Sequence, residues 1–278
     1  MLSLLRRRAP SSPFGRFCWG ALSMAGGSAL SAGLARLVLR IVTDLCPSAL
    51  WAVEVLLLKL AIAARGLYRT SGEVEAALRA GDLGAARRLL AWHLVSRPTE
   101  DLSAEEVAAA AIESVAENLT DGLVGPLCAW AIAGAPGAWA YRFVQTADSM
   151  WGYRGGEYEW LGKPAARLDD LLNWLPARLA AASLLVTAPL IGASPRRAWR
   201  AWRSEAHKTA SPNAGQTMAV VAGGLEVTLT KRGHYVLEGG PGPATPDQLA
   251  RARRWICMAG VVAAVTAWRV SAVRSRRR

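Results

Sequence analysis

The sequence predicts an all-α protein that crosses a membrane several times, with some of its apolar helices broken or re-entrant. Composition is the first indication: 52% of the 278 residues are hydrophobic, only 19% are charged, and the mean hydropathy is +0.19. The second indication is a series of apolar segments, at 18–42, 45–64, 123–147, 175–194 and 255–270. A helix needs about 20 largely apolar residues to cross the hydrocarbon core.

The first two apolar segments differ in their polar content. Segment 18–42 is rich in Gly, Ala and Ser, which allow helices to pack closely in a membrane. Segment 45–64 carries Glu54 and Lys59. Ionisable residues in a membrane segment are either functional or paired, and five residues of separation are compatible with a simple pair.

The third segment, 123–147, is interrupted near its middle by Gly134 and Pro136 within "GAPG". Both residue types break helices. If the chain turns back there, each arm has about a dozen residues, or roughly 18 Å of helix. The segment is therefore predicted to be a re-entrant, V-shaped hairpin that returns Asp121 and Asp148 to one side of the membrane.

The fourth segment, 175–194, is predicted to turn back in the same way. Pro189 and Gly192 interrupt it late in the run. A hairpin here would put Asp170 on the same side as the arginine cluster at 196–203.

Two polar regions, 66–122 and 204–250, separate these segments. In the first, Thr70, Asp82 and Ser103 are predicted to start helices as N-caps, with capping boxes at Thr70 and Ser103. The second is rich in Gly and Pro and is predicted to hold one hairpin around "LEVTLTKRGHYVL". The predicted organisation is N-terminal membrane segments (1–65), a polar helical region ending in an acidic helix (66–122), broken apolar segments (123–203), a polar loop region (204–250) and a C-terminal apolar segment with a basic tail (251–278).

The net charge of +12 comes from basic runs, among them 196–203 and 274–278. Such runs bind nucleic acid or flank membrane segments on the cytoplasmic side. Apolar stretches adjoin most of them, so the prediction is a membrane protein with both runs facing the cytoplasm and no nucleic-acid partner. The order of apolar and basic residues in "MLSLLRRRAPSSPF" is not that of a secretory leader. The four cysteines and three histidines are scattered, without metal or redox spacing.

Four polar clusters stand out against the apolar background: "ESVAENLTDG" (113–122), "QTADSMWGYR" (145–154), "ARLDDLLNWLPARL" (166–179) and "SPNAG" (211–215). Carboxylate oxygens suit Mg²⁺, which is usually held by one or two carboxylates together with substrate phosphates. Arginines suit bidentate contacts to phosphate. Each cluster alone also has an ordinary explanation, as a solvated helix face, a helix start or a turn. Three acidic clusters at the ends of broken apolar segments favour a functional site.

The acidic helix shows why a cation is expected. Glu113, Glu117 and Asp121 are four residues apart, and like charges at this spacing cost a few tenths of a kcal/mol per pair. A bound cation would turn this unfavourable arrangement into a site.

Together, "ESVAEN..DG", "T.DSM.GYR", "ARLDD..NWLPARL" and "SPNAG" resemble the adenosylcobinamide-phosphate synthase family of cobalamin biosynthesis, the CobD/CbiB family. The resemblance covers about residues 50–260. It implies a multi-pass enzyme of the cell (inner) membrane whose active site faces the cytoplasm. The implied reaction joins adenosylcobyric acid to (R)-1-aminopropan-2-ol O-phosphate, or to aminopropanol, by an amide bond, with ATP and Mg²⁺. Membrane lipid and the corrinoid are the implied partners, and the oligomeric state stays open.

The predicted site follows from these motifs. It places catalysis on Glu117, Asp148, Asp169 and Asp170, substrate or ATP binding on Asn118, Arg154, Arg167, Asn173, Arg178, Ser211 and Asn213, and metal binding on Glu113, Glu117, Asp121 and Asp148.

The chain departs from the family pattern at several positions. The usual Gly-Asp-Pro…His-Pro stretch near the start is represented at most by "SPFGRF" (12–17), and "SRPT" (96–99) replaces Gly-Arg-Asp-Thr, with Pro98 in place of the acid. Gln145 and Gln216 replace an Asn and an aromatic residue. An alternative is therefore a catalytically impaired relative with a structural or partner-binding role. A transferase acting on Mg²⁺-bound diphosphate is a third hypothesis, but its paired Asp-x-x-x-Asp pattern is absent.

Overall fold

The computed structural model describes residues 1–153, 155–156 and 158–275. Its helices are α1 (Leu2–Arg7), α2 (Pro13–Leu45), α3 (Leu50–Ala61), α4 (Ala64–Arg79), α5 (Leu83–His93), α6 (Ala104–Leu119), α7 (Gly125–Trp151), α8 (Tyr158–Leu161), α9 (Lys163–Leu172), α10 (Trp174–Thr187), α11 (Pro195–Glu205), α12 (Ala214–Leu225) and α13 (Pro246–Ser275). A π-helix, Thr120–Val124, joins α6 to α7. Strands β1 (Thr228–Lys231) and β2 (Tyr235–Glu238) form an antiparallel hairpin.

The all-α, multi-pass prediction is confirmed, and so is the hairpin predicted in 204–250. By length and composition, four helical stretches of the described chain can cross a membrane: Pro13–Leu45, Ala104–Trp151, Trp174–Ile191 and Pro246–Ala272. The pair Pro47–Ala61 and Ala64–Arg79 passes the same criterion when taken together.

The chain forms two compact units, each assembled from separate stretches of sequence. Unit 1 consists of Met1–Ile62, Gly125–Asn173 and Ala267–Arg278, and unit 2 of Ala63–Val124 and Trp174–Thr266. The five consecutive segments predicted from the sequence describe the order along the chain, whereas each unit gathers distant stretches.

In unit 1, the long helix α2 packs against α7, α8 and α9. Small residues on α2 permit this close approach. A Cβ at Gly20 would overlap the Leu161 carbonyl, and one at Gly27 would overlap the Phe143 ring. The glycine-rich composition of the first apolar segment thus serves helix packing, as expected for membrane helices.

Helix α7 doubles back on itself at Gly134, where φ is 67° and ψ is −165°. A Cβ at Gly125 would overlap the hydroxyl of Tyr141. In a straight helix these two residues would be about 24 Å apart, at 1.5 Å per residue. The V-shaped hairpin predicted for 123–147 is therefore confirmed; its corollary, that Asp121 and Asp148 share one side of the membrane, stays a prediction.

The tip of this hairpin is tied to α3. The indole Nε1 of Trp130 donates to Glu54 Oε1 at 3.2 Å, and the indole of Trp139 donates to the Leu57 carbonyl at 3.0 Å. Glu54, an acid inside an apolar segment, thus has a partner on the facing arm. This bond accounts for its place in the sequence without a catalytic role.

The hairpin predicted for 175–194 is wrong. Helix α10 continues to Thr187, and a 3₁₀ turn, Ala188–Ile191, extends it to Gly192, which has φ 67°. Pro189 lies in the first turn of this 3₁₀ helix, where no backbone donor is lost. The two helix breakers therefore end the segment and do not fold it in half.

In unit 2, α6 and α10 pack against α12, and α11 lies along α12. The predicted N-caps Asp82 and Ser103 are confirmed, the latter with the full capping box to Glu106. The cap predicted at Thr70 is wrong, because Thr70 is buried inside α4. That helix starts at Ala64 without a side-chain cap, and the Ala63 N–H donates instead to the Gly122 carbonyl.

Candidate functional site

The first cluster of candidate residues, in unit 2, lies around α6 and is called the α6 cluster: Arg97, Glu113, Glu117, Lys231 and Tyr235. The Ser103–Glu106 capping box fixes where α6 begins. Glu113 and Glu117 then follow one helical turn apart, close enough for their charges to repel.

Arg97 and Glu113 form a buried ion pair at the centre of this cluster. Arg97 Nη2 donates to Glu113 Oε2 at 3.2 Å, with the carboxylate side chain 7% and the arginine side chain 21% exposed. The contact uses one donor and one acceptor. Arg97 Nε and Glu113 Oε1 are both buried, and neither has a hydrogen-bond partner among the described residues.

The β-hairpin completes the α6 cluster. Arg232 in its turn makes two bonds to Glu106, Nε to Oε1 at 2.6 Å and Nη2 to Oε2 at 2.5 Å. These bonds hold the turn against the start of α6. Lys231 and Tyr235, opposite each other in the hairpin register, are thereby brought within electrostatic reach of Glu113.

The surroundings of Tyr235 change the pKa of its phenol group. Burial raises its pKa, and the charges of Glu113 and Glu117 raise that pKa further. The hydroxyl also lies 3.8 Å from Met218 Sδ. Tyr235 is therefore a neutral donor beside two acids at physiological pH.

Asp121 does not continue the regular stack of Glu113 and Glu117. It lies in the π-helix Thr120–Val124, where hydrogen bonds run from i to i+5 and the turn is wider. Asn118, predicted to bind substrate, donates its Nδ2 to the Ser114 carbonyl at 2.9 Å. Single π-turns inside α-helices are frequent at functional sites.

The second cluster, in unit 1, lies where the long arm of α7 meets α9 and is called the Asp148 cluster: Tyr141, Asp148, Asp169, Asp170 and Asn173. Tyr141 Oη donates to Asn173 Oδ1 at 2.8 Å, and Asn173 Nδ2 donates to Asp169 Oδ2 at 3.0 Å. Tyr141 and Asn173 are both buried. This chain of bonds fixes the orientation of Asp169.

Asp148 and Asp170 are near enough for their charges to repel each other. The end of α7 is shaped around Asp148: Gly152 N–H donates to the Asp148 carbonyl at 2.6 Å, and a Cβ at Gly152 would overlap the Asp148 side chain. The glycine of "DSMWGYR" therefore makes room for the carboxylate.

A third group of predicted residues joins two motifs within unit 2. Arg178 Nη1 reaches Asn213 Oδ1 at 3.4 Å, and its guanidinium lies over the Trp174 ring, 4.3 Å from the centroid. The "SPNAG" turn is held by its own bonds, such as Asn213 N–H to Ser211 Oγ at 3.2 Å. The arginine of "NWLPARL" and the asparagine of "SPNAG" thus come together, as the motifs suggest.

Other predicted residues are placed as follows. Arg167 lies on the exposed side of α9. Arg154 lies outside the described residues. Within the described part of the chain, no three His, Cys, Asp or Glu side chains are arranged to share a metal ion. The metal-binding assignment stays a prediction.

The sequence interpretation missed Arg97, Lys231, Tyr235 and Tyr141 as site residues. Arg97 had a signal, since it is the arginine retained in "SRPT". Lys231 and Tyr235 lie in the predicted hairpin, but nothing local connects that hairpin with α6. Tyr141 had no sequence signal, because its role depends on the fold of the α7 hairpin.

The fold and the two clusters define the class: a helical, multi-pass membrane protein with buried and half-buried acidic residues gathered in polar clusters. The chain belongs to the CobD/CbiB family. The profile described as CobD/Cbib protein matches residues 1–269.

Curated relatives agree with this assignment. The chain is similar to "Cobalamin biosynthesis protein CobD" of Dehalococcoides mccartyi (strain CBDB1), 46% identical over 198 residues, covering 71% of this chain and 64% of the relative. The protein of the same name from Stutzerimonas stutzeri (strain A1501) is 47% identical over 186 residues, 67% of this chain and 59% of the relative. A "Probable cobalamin biosynthesis protein CobD" of Methanocaldococcus jannaschii is 44% identical over 163 residues, 59% and 53%. The chain thus spans 53–64% of the length of these curated relatives. No solved structure matches it.

Proposed function

We propose that the protein acts in cobalamin biosynthesis as an ATP-dependent ligase. It would join adenosylcobyric acid to (R)-1-aminopropan-2-ol O-phosphate to give adenosylcobinamide phosphate, or to aminopropanol to give adenosylcobinamide. Membership of the CobD/CbiB family and the names of the curated relatives support the biosynthetic role. Carboxylates able to hold Mg²⁺, and the guanidinium of Arg178, support chemistry on phosphate-bearing substrates.

The observation that carries the proposal is that Asp148, near the end of α7, lies within electrostatic reach of Asp170 on α9. Carboxylates whose charges act on each other are unfavourable, and proteins keep such arrangements mainly at functional sites. Asp169, one residue away, is oriented through Asn173 and Tyr141. The cost of this arrangement is explained if Asp148 and Asp170 bind a cation during the reaction.

Mg²⁺ fits these residues by the chemistry of the donors. It prefers carboxylate oxygens, and one or two of them suffice when phosphates complete its coordination. Asp148 and Asp170 would hold the ion. Bound there with ATP, Mg²⁺ would neutralise phosphate charge while ATP converts the carboxylate oxygen of the corrinoid into a leaving group.

Other candidate residues would position the catalytic groups or bind the substrates. Asn173, locked between Tyr141 and Asp169, would keep the Asp169 carboxylate directed at the reaction partners. Arg178, placed by Asn213 and the Trp174 ring, offers a planar donor suited to phosphate. Since ATP is a cytoplasmic substrate, we propose that the site faces the cytoplasm of the cell membrane.

A catalytically impaired relative is the second candidate, because Pro98 replaces an acid beside Arg97. A complementation experiment distinguishes the two candidate functions. A corrinoid auxotroph lacking the synthase would receive the full chain and be supplied with cobyric acid. The proposed function predicts growth, whereas the Asp148→Asn variant should restore none.

Cobinamide, which already contains the amide, is the control supply. Every strain should grow on it, and immunoblots of the membrane fraction should show equal amounts of both chains. Absence of growth on cobyric acid with a chain present in the membrane would favour the second candidate.

A further inference from the structure

The Arg97–Glu113 pair has unused bonding capacity on both partners. Arginine–carboxylate pairs are frequently bidentate, with two parallel N–H···O bonds. Here only Nη2 and Oε2 bond, and the buried Nε–H and Oε1 are left over. Each unsatisfied buried polar atom is costly, and such atoms in a native fold require an explanation. One buried donor and one buried acceptor of the pair are thus left without a hydrogen bond.

The surroundings of the pair carry both charges. Glu117, Lys231 and Tyr235 all lie within electrostatic reach of the Glu113 carboxylate. A site with acids and cations side by side is complementary to a ligand that carries both an ammonium group and an anionic oxygen. A divalent metal ion is a poorer match, since it would lie next to the Arg97 guanidinium.

We propose that Arg97 and Glu113 bind a small zwitterionic amine, with its ammonium group donating to Glu113 Oε1 and its anionic oxygen accepting from Arg97 Nε–H. This inference rests on the proposed function and deepens it. Glu113 becomes the residue that receives the amine substrate, and Arg97 the residue that recognises the anionic group of that substrate. An amino-alcohol phosphate has both groups, whereas a free amino alcohol has only the first.

Binding of three probes to the detergent-purified full chain tests this, without ATP, Mg²⁺ or corrinoid. The probes are 1-aminopropan-2-ol O-phosphate, 1-aminopropan-2-ol and isopropyl phosphate. The zwitterion should bind at least about tenfold more tightly than either half-molecule, since each half loses one charge-assisted bond. Equal affinity for the zwitterion and the free amino alcohol would overturn the role of Arg97.

Variants assign each contact. Arg97→Gln should weaken binding of the zwitterion about tenfold or more and change binding of the free amino alcohol by less than about threefold. Glu113→Gln should weaken both amines about tenfold. Arg69→Gln is the matched control, because Arg69 pairs with Glu73 in the same unit but is exposed. It should bind all probes as the unmodified chain does.

Removing one partner of a buried pair also destabilises the fold. The double variant Arg97→Gln/Glu113→Gln removes both charges at once, and thermal unfolding checks that it is folded. A folded double variant that still binds the zwitterion normally overturns the proposal. The proposal is also overturned if Glu113→Gln leaves the affinity for the amine unchanged and raises the Mg²⁺ concentration that ligation requires. A chain that binds the zwitterion but forms no amide would contradict the proposed function alone.

Discussion

At the residue scale, each of the two candidate clusters consists of polar residues that bond to one another. In the Asp148 cluster, Tyr141, Asn173 and Asp169 form one continuous chain of bonds. In the α6 cluster, Arg97 and Glu113 are joined by a single bond. The first arrangement fixes the orientation of the Asp169 carboxylate. The second leaves Arg97 Nε and Glu113 Oε1 available to a ligand. The two clusters therefore contribute differently.

Tyr141→Phe tests the first arrangement. The change leaves Asn173 Oδ1 buried without the bond from Tyr141 Oη, which should lower the free energy of unfolding by about 1–3 kcal/mol. Ligation should slow as well, since Asn173 no longer holds Asp169 in place. Chemical denaturation in detergent and a ligation assay measure both effects.

Tyr153→Phe is the control, because Tyr153 is 49% exposed. It should leave stability and ligation close to those of the unmodified chain. If both tyrosine variants behave alike, the Tyr141–Asn173 bond has no special role.

At the scale of elements, some features could be predicted from local sequence and others could not. The caps Asp82 and Ser103 and the break at Gly134 follow from residues close in the chain. Thr70 was a wrong cap because a tertiary bond from Ala63 to Gly122 starts that helix further upstream. The pairing of the hairpin turn with α6 links residues 126 positions apart, so no local pattern contains it.

The same limit applies to the site. "DSMWGYR", "LDD" and "SPNAG" indicated acids and an asparagine that the structure places at polar clusters. Arg97 contacts Glu113 only because the loop that precedes α6 packs against that helix. Sequence motifs therefore indicated the candidate residues, whereas the partners of those residues could be found only from the fold.

Gly134→Ala tests the α7 hairpin. With φ 67° and ψ −165°, Gly134 occupies a region of backbone space that is essentially restricted to glycine. Alanine should cost about 1–3 kcal/mol in the free energy of unfolding. Gly33→Ala, in α2, is the matched control: nothing lies near its Cβ, so alanine should be neutral or slightly stabilising. Equal effects of the two changes would contradict a strained turn at Gly134.

Glu205→Gln tests the link between α11 and the hairpin. Glu205 Oε2 accepts bonds from Lys208 Nζ at 2.7 Å and from the Glu238 N–H at 2.8 Å. Burial alone would raise the pKa of Glu205, but these bonds lower it overall. At neutral pH the variant should be less stable by about 1–2 kcal/mol, discounted for the partly exposed lysine.

The pH dependence of this difference has a definite sign. A carboxyl group whose pKa is lower in the folded state stabilises the protein above its ordinary pKa of about 4.3. This stabilisation is lost as the pH falls through the lowered folded value. The gap between Glu205→Gln and the unmodified chain should therefore shrink in acid, as measured by unfolding from pH 7 to pH 3. A gap independent of pH would contradict the ionic role of Glu205.

At the scale of the whole molecule, basic runs lie next to several of the apolar helices that are able to span a membrane, for example at 196–203. Positively charged loops favour the cytoplasmic side. The cluster at 196–203, which lies on α11, is therefore expected to face the cytoplasm.

Cysteine labelling tests this orientation. The four native cysteines would be replaced by Ser, and Arg200, which is exposed, by Cys. An impermeant reagent should leave this cysteine unlabelled in intact cells and label it in permeabilised cells. Labelling in intact cells would place the cluster outside.

The central claim, amide ligation, is tested most directly by product formation with purified protein. The full chain in detergent would receive adenosylcobyric acid, isotopically labelled 1-aminopropan-2-ol O-phosphate, ATP and Mg²⁺. We predict labelled adenosylcobinamide phosphate, with one ATP consumed per amide and no product from Asp148→Asn. The CobD protein of Dehalococcoides mccartyi, assayed in parallel, reports whether the conditions support ligation. No product from this chain, where that relative forms product, would contradict the account.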